Sequence, residues 1–169
     1  TAVLVRRPLP TTSGELSVAG LSAPVTVHRD AQGVPDIYAS TAADLFMAQG
    51  YVQAQDRFFE MDYRRHVTAG RLSELVGEIA DALEADKVIR TFGWREVAEQ
   101  EWEILDSDTK NYLQAYADGV NAYLAERSTS QVAVEYSVLG LQVSVDDPER
   151  WDPVDSLAWL KAMAWDLRG

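Results

Sequence analysis

The chain contains no cysteine among its 169 residues. Disulfides, thiolate nucleophiles and cysteine-ligated metal sites are therefore excluded. No apolar run approaches the length of about 20 residues that a membrane-spanning helix needs. Histidine is also scarce, because only His28 and His66 are present and their spacing is not that of a metal site. Each histidine is therefore expected to have a structural or solvated role.

Basic residues are few as well. There are 15 Lys and Arg against 27 Asp and Glu, which gives a formal net charge of −12. This balance argues against a nucleic-acid-binding surface, since each phosphate contact needs a cation. It also argues against a polybasic membrane patch. With 47% hydrophobic and 25% charged residues, the chain has the composition of an ordinary globular protein, and its length predicts a single domain over 1–169.

The N-terminal part of the chain has an extended pattern. Residues 1–24 are expected to form an entry strand followed by a polar wrap. Residues 25–39 predict a β-hairpin, because apolar and polar residues alternate on both sides of a turn. Within that turn, Asp30 can begin the reversal and Gly33 can adopt a positive φ.

Residues 41–127 have the periodicity of helices. Thr41 and Asp44 match the capping pattern that opens a helix, which is expected to run to about His66. One face of this helix carries an apolar stripe at spacings of four, three, four and three residues. The stripe consists of Met47, Tyr51, Ala54, Phe58 and Met61. Shorter helices follow, with a break around Phe92 and Gly93.

Two further elements complete the chain. Alternation from Val132 to Val138, followed by Val143 and Val145, predicts short strands over 132–145. Asp152 and Pro153 then open a helix over 152–167 that is apolar nearly all round. Such a helix must be buried against something, either the rest of this domain or a second polypeptide. A free monomer would expose its large apolar side chains, Trp159, Trp165 and Leu167.

The residues themselves do not make a complete active site. There is no glycine-rich phosphate loop and no Gly-x-Ser-x-Gly elbow. The acidic run that begins at Asp106 lacks the glycine of a calcium loop, since Asn111 occupies that position, and is interpreted as a helix cap. Thr1 matches an N-terminal nucleophile in residue type, but an ordinary first residue is the favoured interpretation.

Four blocks of sequence, in order, resemble the penicillin acylase family. The blocks are 27–39 (VHRDAQGVPDIYA), 50–57 (GYVQAQDR), 115–123 (AYADGVNAY) and 151–155 (WDPVD). The resemblance runs from about Val25 to Gly169. It implies that the chain is the α chain of a heterodimeric N-terminal-nucleophile amidohydrolase, mostly helical within the α+β class, whose short strands join an αββα sandwich completed by a β chain.

The resemblance also implies how the work is divided between the two chains. The catalytic serine begins the β chain, its own α-amine is the base, and the oxyanion hole lies on the β chain. No catalytic residue and no metal ligand is therefore assigned here. No organic cofactor is expected, and a structural calcium ion would be held mainly by the β chain. The expected location is periplasmic or secreted.

The share of this chain would be to shape the acyl pocket. Met163 matches a family methionine that lines the pocket, and Leu167 matches a phenylalanine at its edge, although their helix would equally allow both to be core residues. Two departures stand out: Asp36 replaces a frequent histidine, and Asp166 replaces an arginine that meets the β-lactam carboxylate. An acid at position 166 would repel that carboxylate, which weighs against penicillin as natural substrate.

Several functions remain open from the sequence. A β-lactam side-chain acylase is the leading hypothesis, and an N-acyl-homoserine lactone or lipopeptide acylase is the second. A non-catalytic helical binding subunit is an alternative of another class, because it would show the same apolar last helix. A hydrolase that uses Thr1 alone is the remaining alternative.

Overall fold

The computed structural model describes residues 8–77 and 79–168. The strand expected at the extreme N-terminus, 1–5, and Thr1 lie outside the described residues. The elements run in the order β1 (Thr26–Arg29), β2 (Pro35–Tyr38), α1 (Ala42–Ala69), α2 (Leu72–Val76), α3 (Ala80–Phe92), α4 (Trp94–Ile104), α5 (Ser107–Ala125), α6 (Thr129–Val132), α7 (Val134–Leu139) and α8 (Pro153–Asp166). The described chain is therefore mostly helical with two short strands.

The predicted hairpin is confirmed. β1 and β2 pair antiparallel, with Thr26 opposite Tyr38. The Asp30 carboxylate accepts hydrogen bonds from the backbone N–H groups of Gln32 and Val34, at 2.9 and 2.8 Å, which closes the turn. The Arg29 guanidinium then reaches α1 and donates to both carboxylate oxygens of Asp56, each at 2.8 Å. This ion pair holds the hairpin against the first helix.

Helix α1 begins as the capping pattern predicts. The Thr41 hydroxyl accepts a hydrogen bond from the Asp44 N–H at 3.1 Å. The buried Asp44 carboxylate in turn accepts from the Ser22 N–H and hydroxyl, at 2.8 and 2.6 Å. The helix is kinked at Arg57 and ends at Ala69, three residues beyond the predicted end, where Gly70 forms a left-handed cap with φ 63°.

Two glycines allow α1 and α5 to cross closely. A Cβ atom on Gly50 would lie 2.1 Å from the Tyr116 carbonyl oxygen, and one on Gly119 would lie 1.9 Å from that of Met47. Neither distance is compatible with a side chain. The core of the molecule forms beside this crossing, where Phe58, Val120 and Tyr123 are fully buried.

The strands predicted over 132–145 are wrong. Residues Thr129–Val132 and Val134–Leu139 are short helices, and residues 143–145 form no strand. A capping box between Ser128 and Gln131 opens the first of them. Val132 and Tyr136, four residues apart, are both buried, which is helical spacing. Four alternating β-prone residues do not distinguish a strand from a buried helical segment.

Helix α8 begins as predicted, with Asp152 as N-cap and Pro153 in the first turn. Its first half packs on α4, where Val154, Leu157 and Ala158 surround the fully buried Ala98. From Met163 to the end of the helix, by contrast, every residue is exposed. The expectation that the helix would be buried therefore holds, within the described chain, for its first half only.

None of the described helices combines the length and the hydropathy needed to cross a membrane.

Candidate functional site

Three apolar side chains form a stripe along the exposed face of α8. Leu160, Met163 and Leu167 follow one another at helical spacings of three and four residues. Their exposed fractions are 53%, 40% and 80%. We call these three residues the α8 stripe. It contains both side chains that the resemblance assigns to the acyl pocket, and it places them on one surface.

An aromatic cluster supports the end of α8. The Trp165 ring lies 4.6 Å from the Phe92 ring and 6.3 Å from the Trp94 ring, measured between centroids. The Arg168 guanidinium lies 3.5 Å from the centre of the Trp165 ring, within the range of a cation–π contact. Trp165 is nevertheless 39% exposed, as predicted for the chain without a covering partner.

A groove of about 660 Å³ lies between α1, α5 and α8. On one wall the Phe46 and Tyr112 rings stack at 5.0 Å. On the other wall the Arg64 guanidinium covers Trp159 at 4.3 Å, so that Trp159 is half-buried rather than exposed. Burial raises the pKa of Tyr116, which also lines the groove, to about 12. Neither Met163 nor Leu167 lines this groove.

Sequence reasoning missed the groove, although α1 carries a signal for it. Six of the α1 residues that line it recur at spacings of three and four, next to the apolar stripe. They are Phe46, Gln49, Gln53, Arg57, Glu60 and Arg64, and Met61 and Arg65 line it as well. Because most of these residues are polar, the pattern is indistinguishable from a solvated helix face until α5 and α8 are placed opposite it.

A network of buried charges lies behind the groove. The Asp62 carboxylate pairs with Arg65, accepts a hydrogen bond from the Tyr136 hydroxyl at 2.6 Å, and lies 3.3 Å from Nδ1 of His66. Burial disfavours the charged form of Asp62, but the hydrogen bond with His66 and the charge of Arg65 hold its pKa below the usual value. Burial likewise disfavours protonated His66, yet Asp62 raises the pKa of the imidazole.

The first turn of α8 is fixed by a second set of polar contacts. The buried Asp155 carboxylate pairs with Arg95 of α4 and lies 3.8 Å from Arg65 of α1. Burial raises the pKa of Asp155, against the opposing effect of both arginines. The Asn121 side chain of α5 donates to the Trp151 carbonyl at 2.9 Å and accepts from the Trp151 N–H at 2.7 Å.

The remaining sequence candidates have structural positions. His66 belongs to the buried network, and His28 is exposed on β1, where its ring meets Tyr38 edge-on at 5.9 Å. The Asp106 carboxylate caps α5 by accepting from the Asp108 and Thr109 N–H groups, both at 2.9 Å. That contact confirms its interpretation as a helix cap.

The polar side chains of the described residues make structural contacts. Within residues 8–77 and 79–168, no three His, Asp or Glu side chains come close enough together to hold a metal ion. In the same part of the chain, His66 makes its hydrogen bond to Asp62 of its own helix and not to a serine or threonine hydroxyl. The fold is mostly helical, and the described residues leave the α8 stripe exposed.

The comparisons with known proteins identify the family of this chain. The family model described as penicillin amidase matches residues 24–169. The chain therefore belongs to the penicillin amidase family.

Curated relatives include acylases of two kinds. The chain is 43% identical over 155 residues to the penicillin acylase 2 proenzyme of Pseudomonas sp. (strain SE83), covering 92% of this chain and 19% of the relative. It is 37% identical to the acyl-homoserine lactone acylase QuiP of Pseudomonas aeruginosa, covering 88% and 16%. It is 34% identical to the penicillin G acylase of Escherichia coli, covering 79% and 15%. The chain thus spans less than a fifth of the length of these relatives.

A solved structure shows the same fold. A thermostable penicillin G acylase from Alcaligenes faecalis superposes with a TM-score of 0.73 at 29% sequence identity, covering 85% of this chain and 74% of that chain. The mostly helical architecture described here is therefore one that a penicillin G acylase chain also adopts.

Proposed function

We propose that this chain is the α subunit of an acylase that hydrolyses an amide to a carboxylic acid and an amine. The observation that carries the proposal is the 43% identity to the penicillin acylase 2 proenzyme over 92% of the chain. The exposed α8 stripe supports it, because a stripe of this kind needs a second polypeptide to cover it. The proposed partner is a β chain from the same precursor, and the two chains together would build the αββα sandwich.

In this proposal the bond-breaking chemistry belongs to the partner chain. The oxygen of its N-terminal serine attacks the amide carbon, while the serine proton passes to its own α-amine. The C–N bond breaks as that proton is delivered to the departing amine. Water then hydrolyses the acyl-serine ester, which releases the acid and restores the serine. Backbone and asparagine donors of the β chain stabilise the oxyanion.

The share of this chain is to bind the acyl group. Met163 and Leu167 supply an apolar wall whose attraction for an aryl or alkyl group comes from the area buried. Met163 has three rotatable bonds and adapts to differently shaped groups. Such a pocket distinguishes one methylene by only about 1–3 kcal/mol, so we expect broad acyl specificity. The neighbouring Asp166 adds negative charge at the end of α8, which disfavours a substrate carboxylate there.

The side chain of a β-lactam antibiotic is the first proposed substrate class, and an N-acyl-homoserine lactone or lipopeptide is the second. The relatives support both, since penicillin acylases and an acyl-homoserine lactone acylase match over similar spans. Hydrolysis of phenylacetyl, phenoxyacetyl and long-chain acyl amides by the assembled enzyme separates them. A preference for acyl chains beyond about eight carbons would remove the penicillin interpretation.

Two further properties belong to the same proposal. A structural calcium ion would take its ligands mainly from the β chain, and removing it with a chelator would lower the melting temperature of the assembled enzyme.

The location of the enzyme is proposed to be periplasmic or secreted. Fractionation of cells that express the complete precursor checks this, and activity confined to the cytoplasm would contradict it.

A further inference from the structure

Helix α8 is packed against the rest of the described chain over its first ten residues and is exposed beyond them. Its buried side chains, Val154, Leu157, Ala158 and Ala162, all lie in the first ten residues of the helix. Beyond them the described chain packs only the exposed aromatic cluster of Trp165 against the helix. Met163 and Leu167 therefore lie at the exposed end of a helix whose direction is set by the contacts of residues 153–162, which include the Lys161–Glu101 ion pair.

The fixed end is held by directional polar contacts from three other helices. Arg95 of α4 and Arg65 of α1 approach the buried Asp155 carboxylate from two sides. Just before the helix begins, the Asn121 side chain of α5 donates one hydrogen bond to the Trp151 carbonyl and accepts another from the Trp151 N–H. The Trp151 indole N–H also donates to the Ser156 hydroxyl at 3.1 Å. Contacts of this kind fix angles, which apolar burial alone does not.

A small change in the tilt of α8 at Asp155 produces a larger displacement of Met163. Met163 lies eight residues beyond Asp155, a distance of about 12 Å along the axis at 1.5 Å per residue. Tilting α8 by about 10° around Asp155 would therefore move Met163 by about 2 Å. That displacement exceeds the length that one methylene adds to an acyl chain.

We infer that Arg95, Asp155 and Asn121 are positioning residues that set the direction of α8 and so determine which acyl lengths fit against Met163 and Leu167. The inference rests on the proposed function, because it takes the α8 stripe as part of the acyl-binding wall. None of the three residues touches the acyl group. They act through the helix, and their removal should change selectivity among acyl groups more than the rate of bond breaking.

The chain offers a matched control for lost stability. Tyr136 donates a hydrogen bond to the buried carboxylate of Asp62. Asp62 lies on α1 and, among the described residues, is linked to Asp155 only through Arg65. Tyr136→Phe removes one buried hydrogen bond and leaves the contacts of Asp155 in place, whereas Arg95→Ala removes the ion pairs of Arg95 with Asp155 and Glu99. If the network contributed stability alone, both variants would lower the melting temperature and neither would change selectivity.

The test uses the assembled two-chain enzyme and a series of linear acyl amides that differ by one carbon, with kcat and KM measured for each. Arg95→Ala should change the ratio of kcat/KM between the best substrate and its longer neighbours by at least about fivefold, mainly through KM. Arg95→Lys keeps the charge but not the geometry, and should give a smaller shift in the same direction. Tyr136→Phe should lower the melting temperature and leave the ratio unchanged.

Two results would overturn the inference. One is a lowered melting temperature in Arg95→Ala with the same selectivity ratio as the parent enzyme. The other is an equal shift of the ratio in Tyr136→Phe. Should Arg95→Ala not assemble, the ratio measured for Arg95→Lys decides in the same way. A parent enzyme that assembles but hydrolyses no acyl amide contradicts the proposed function itself, which distinguishes that failure from failure of the positioning role.

Discussion

At the scale of single residues, the buried charges on α1 are stable because each has a partner. The Asp62 carboxylate contacts Arg65, His66 and the Tyr136 hydroxyl. An ionised carboxylate in an apolar core would be strongly destabilising without such partners. The sequence alone does not indicate this network, because the hydroxyl that completes it comes from Tyr136, 74 positions further along the chain.

Protonation of His66 should stabilise the folded protein. The pKa of His66 is raised above its ordinary value by Asp62, although burial and the charge of Arg65 oppose the shift. The groups that face it are Asp62 and Arg65 of its own helix, Tyr136 of α7 across the shared carboxylate, and Glu149 of the loop before α8. A raised pKa means that the stabilisation is complete below about pH 6.5 and is lost as pH rises through the folded-state pKa.

The measurement compares the melting temperature of the assembled protein with that of His66→Gln. The difference between the two should be larger at about pH 5.5 than at about pH 8.5. His28→Gln, at the exposed histidine of β1, is the control for the substitution itself. A difference between parent and His66→Gln that stays the same at both pH values would contradict the assignment.

At the scale of helices and strands, capping residues correctly predicted where helices begin. Short alternating apolar runs did not correctly predict strands. Thr41, Asp106 and Asp152 each cap a helix as their sequence context predicts. These caps are local, so the sequence contains the whole signal. The short helices within 129–139 were wrongly predicted as strands. Whether this segment is helical depends on the packing of Val132 and Tyr136 in the core, and the local sequence pattern does not show that packing.

Part of the candidate site was likewise predicted from the sequence, and part was not. Met163 and Leu167 were assigned through the resemblance, and the structure places them on one exposed face of α8. The groove beside Arg64 and Trp159 was not predicted, since three helices distant in sequence form it. Whether the α8 stripe binds an acyl group stays a prediction, because the part of the chain that the structure describes leaves the stripe exposed.

The crossing of α1 and α5 provides a test at this scale. Gly119→Ala places a methyl group against the Met47 carbonyl, a backbone atom that cannot turn away. We expect a loss of stability of at least about 1–3 kcal/mol, as for other overpacked sites. Chemical denaturation of the assembled protein measures it. Asn111→Ala, on the exposed face of the same helix, should change stability by less than about 0.5 kcal/mol; equal effects would show that the close approach is absent.

At the scale of the whole molecule, this chain has an apolar surface that residues 8–77 and 79–168 leave uncovered. The α8 stripe and the aromatic cluster of Trp165 both lie towards the C-terminal end of the helix. An exposed apolar patch such as the α8 stripe, on a chain of net charge −12, is typical of an interface rather than of a surface that faces water. The chain spans less than a fifth of its curated relatives, which leaves ample polypeptide in those proteins to cover such a patch.

A charge placed in the α8 stripe should therefore oppose assembly. Leu160→Glu would bury an unpaired carboxylate under the partner chain, and we expect association to weaken by at least about tenfold. Co-purification of the two chains from cells that express the complete precursor, followed by dilution, measures it. Gln114→Glu adds the same charge on the exposed face of α5 and should leave association unchanged. Equal assembly of Leu160→Glu and the parent would show that the stripe lies outside the interface.

The central claim is that this polypeptide is one part of a two-chain acylase, and the composition of the native protein tests it most directly. Intact-mass analysis of the material purified after expression of the complete precursor, with N-terminal sequencing of every chain found, gives the answer. The account predicts this chain together with a much larger one that begins with serine, and acylase activity in the pair. A lone, soluble, monodisperse chain of this size would contradict it.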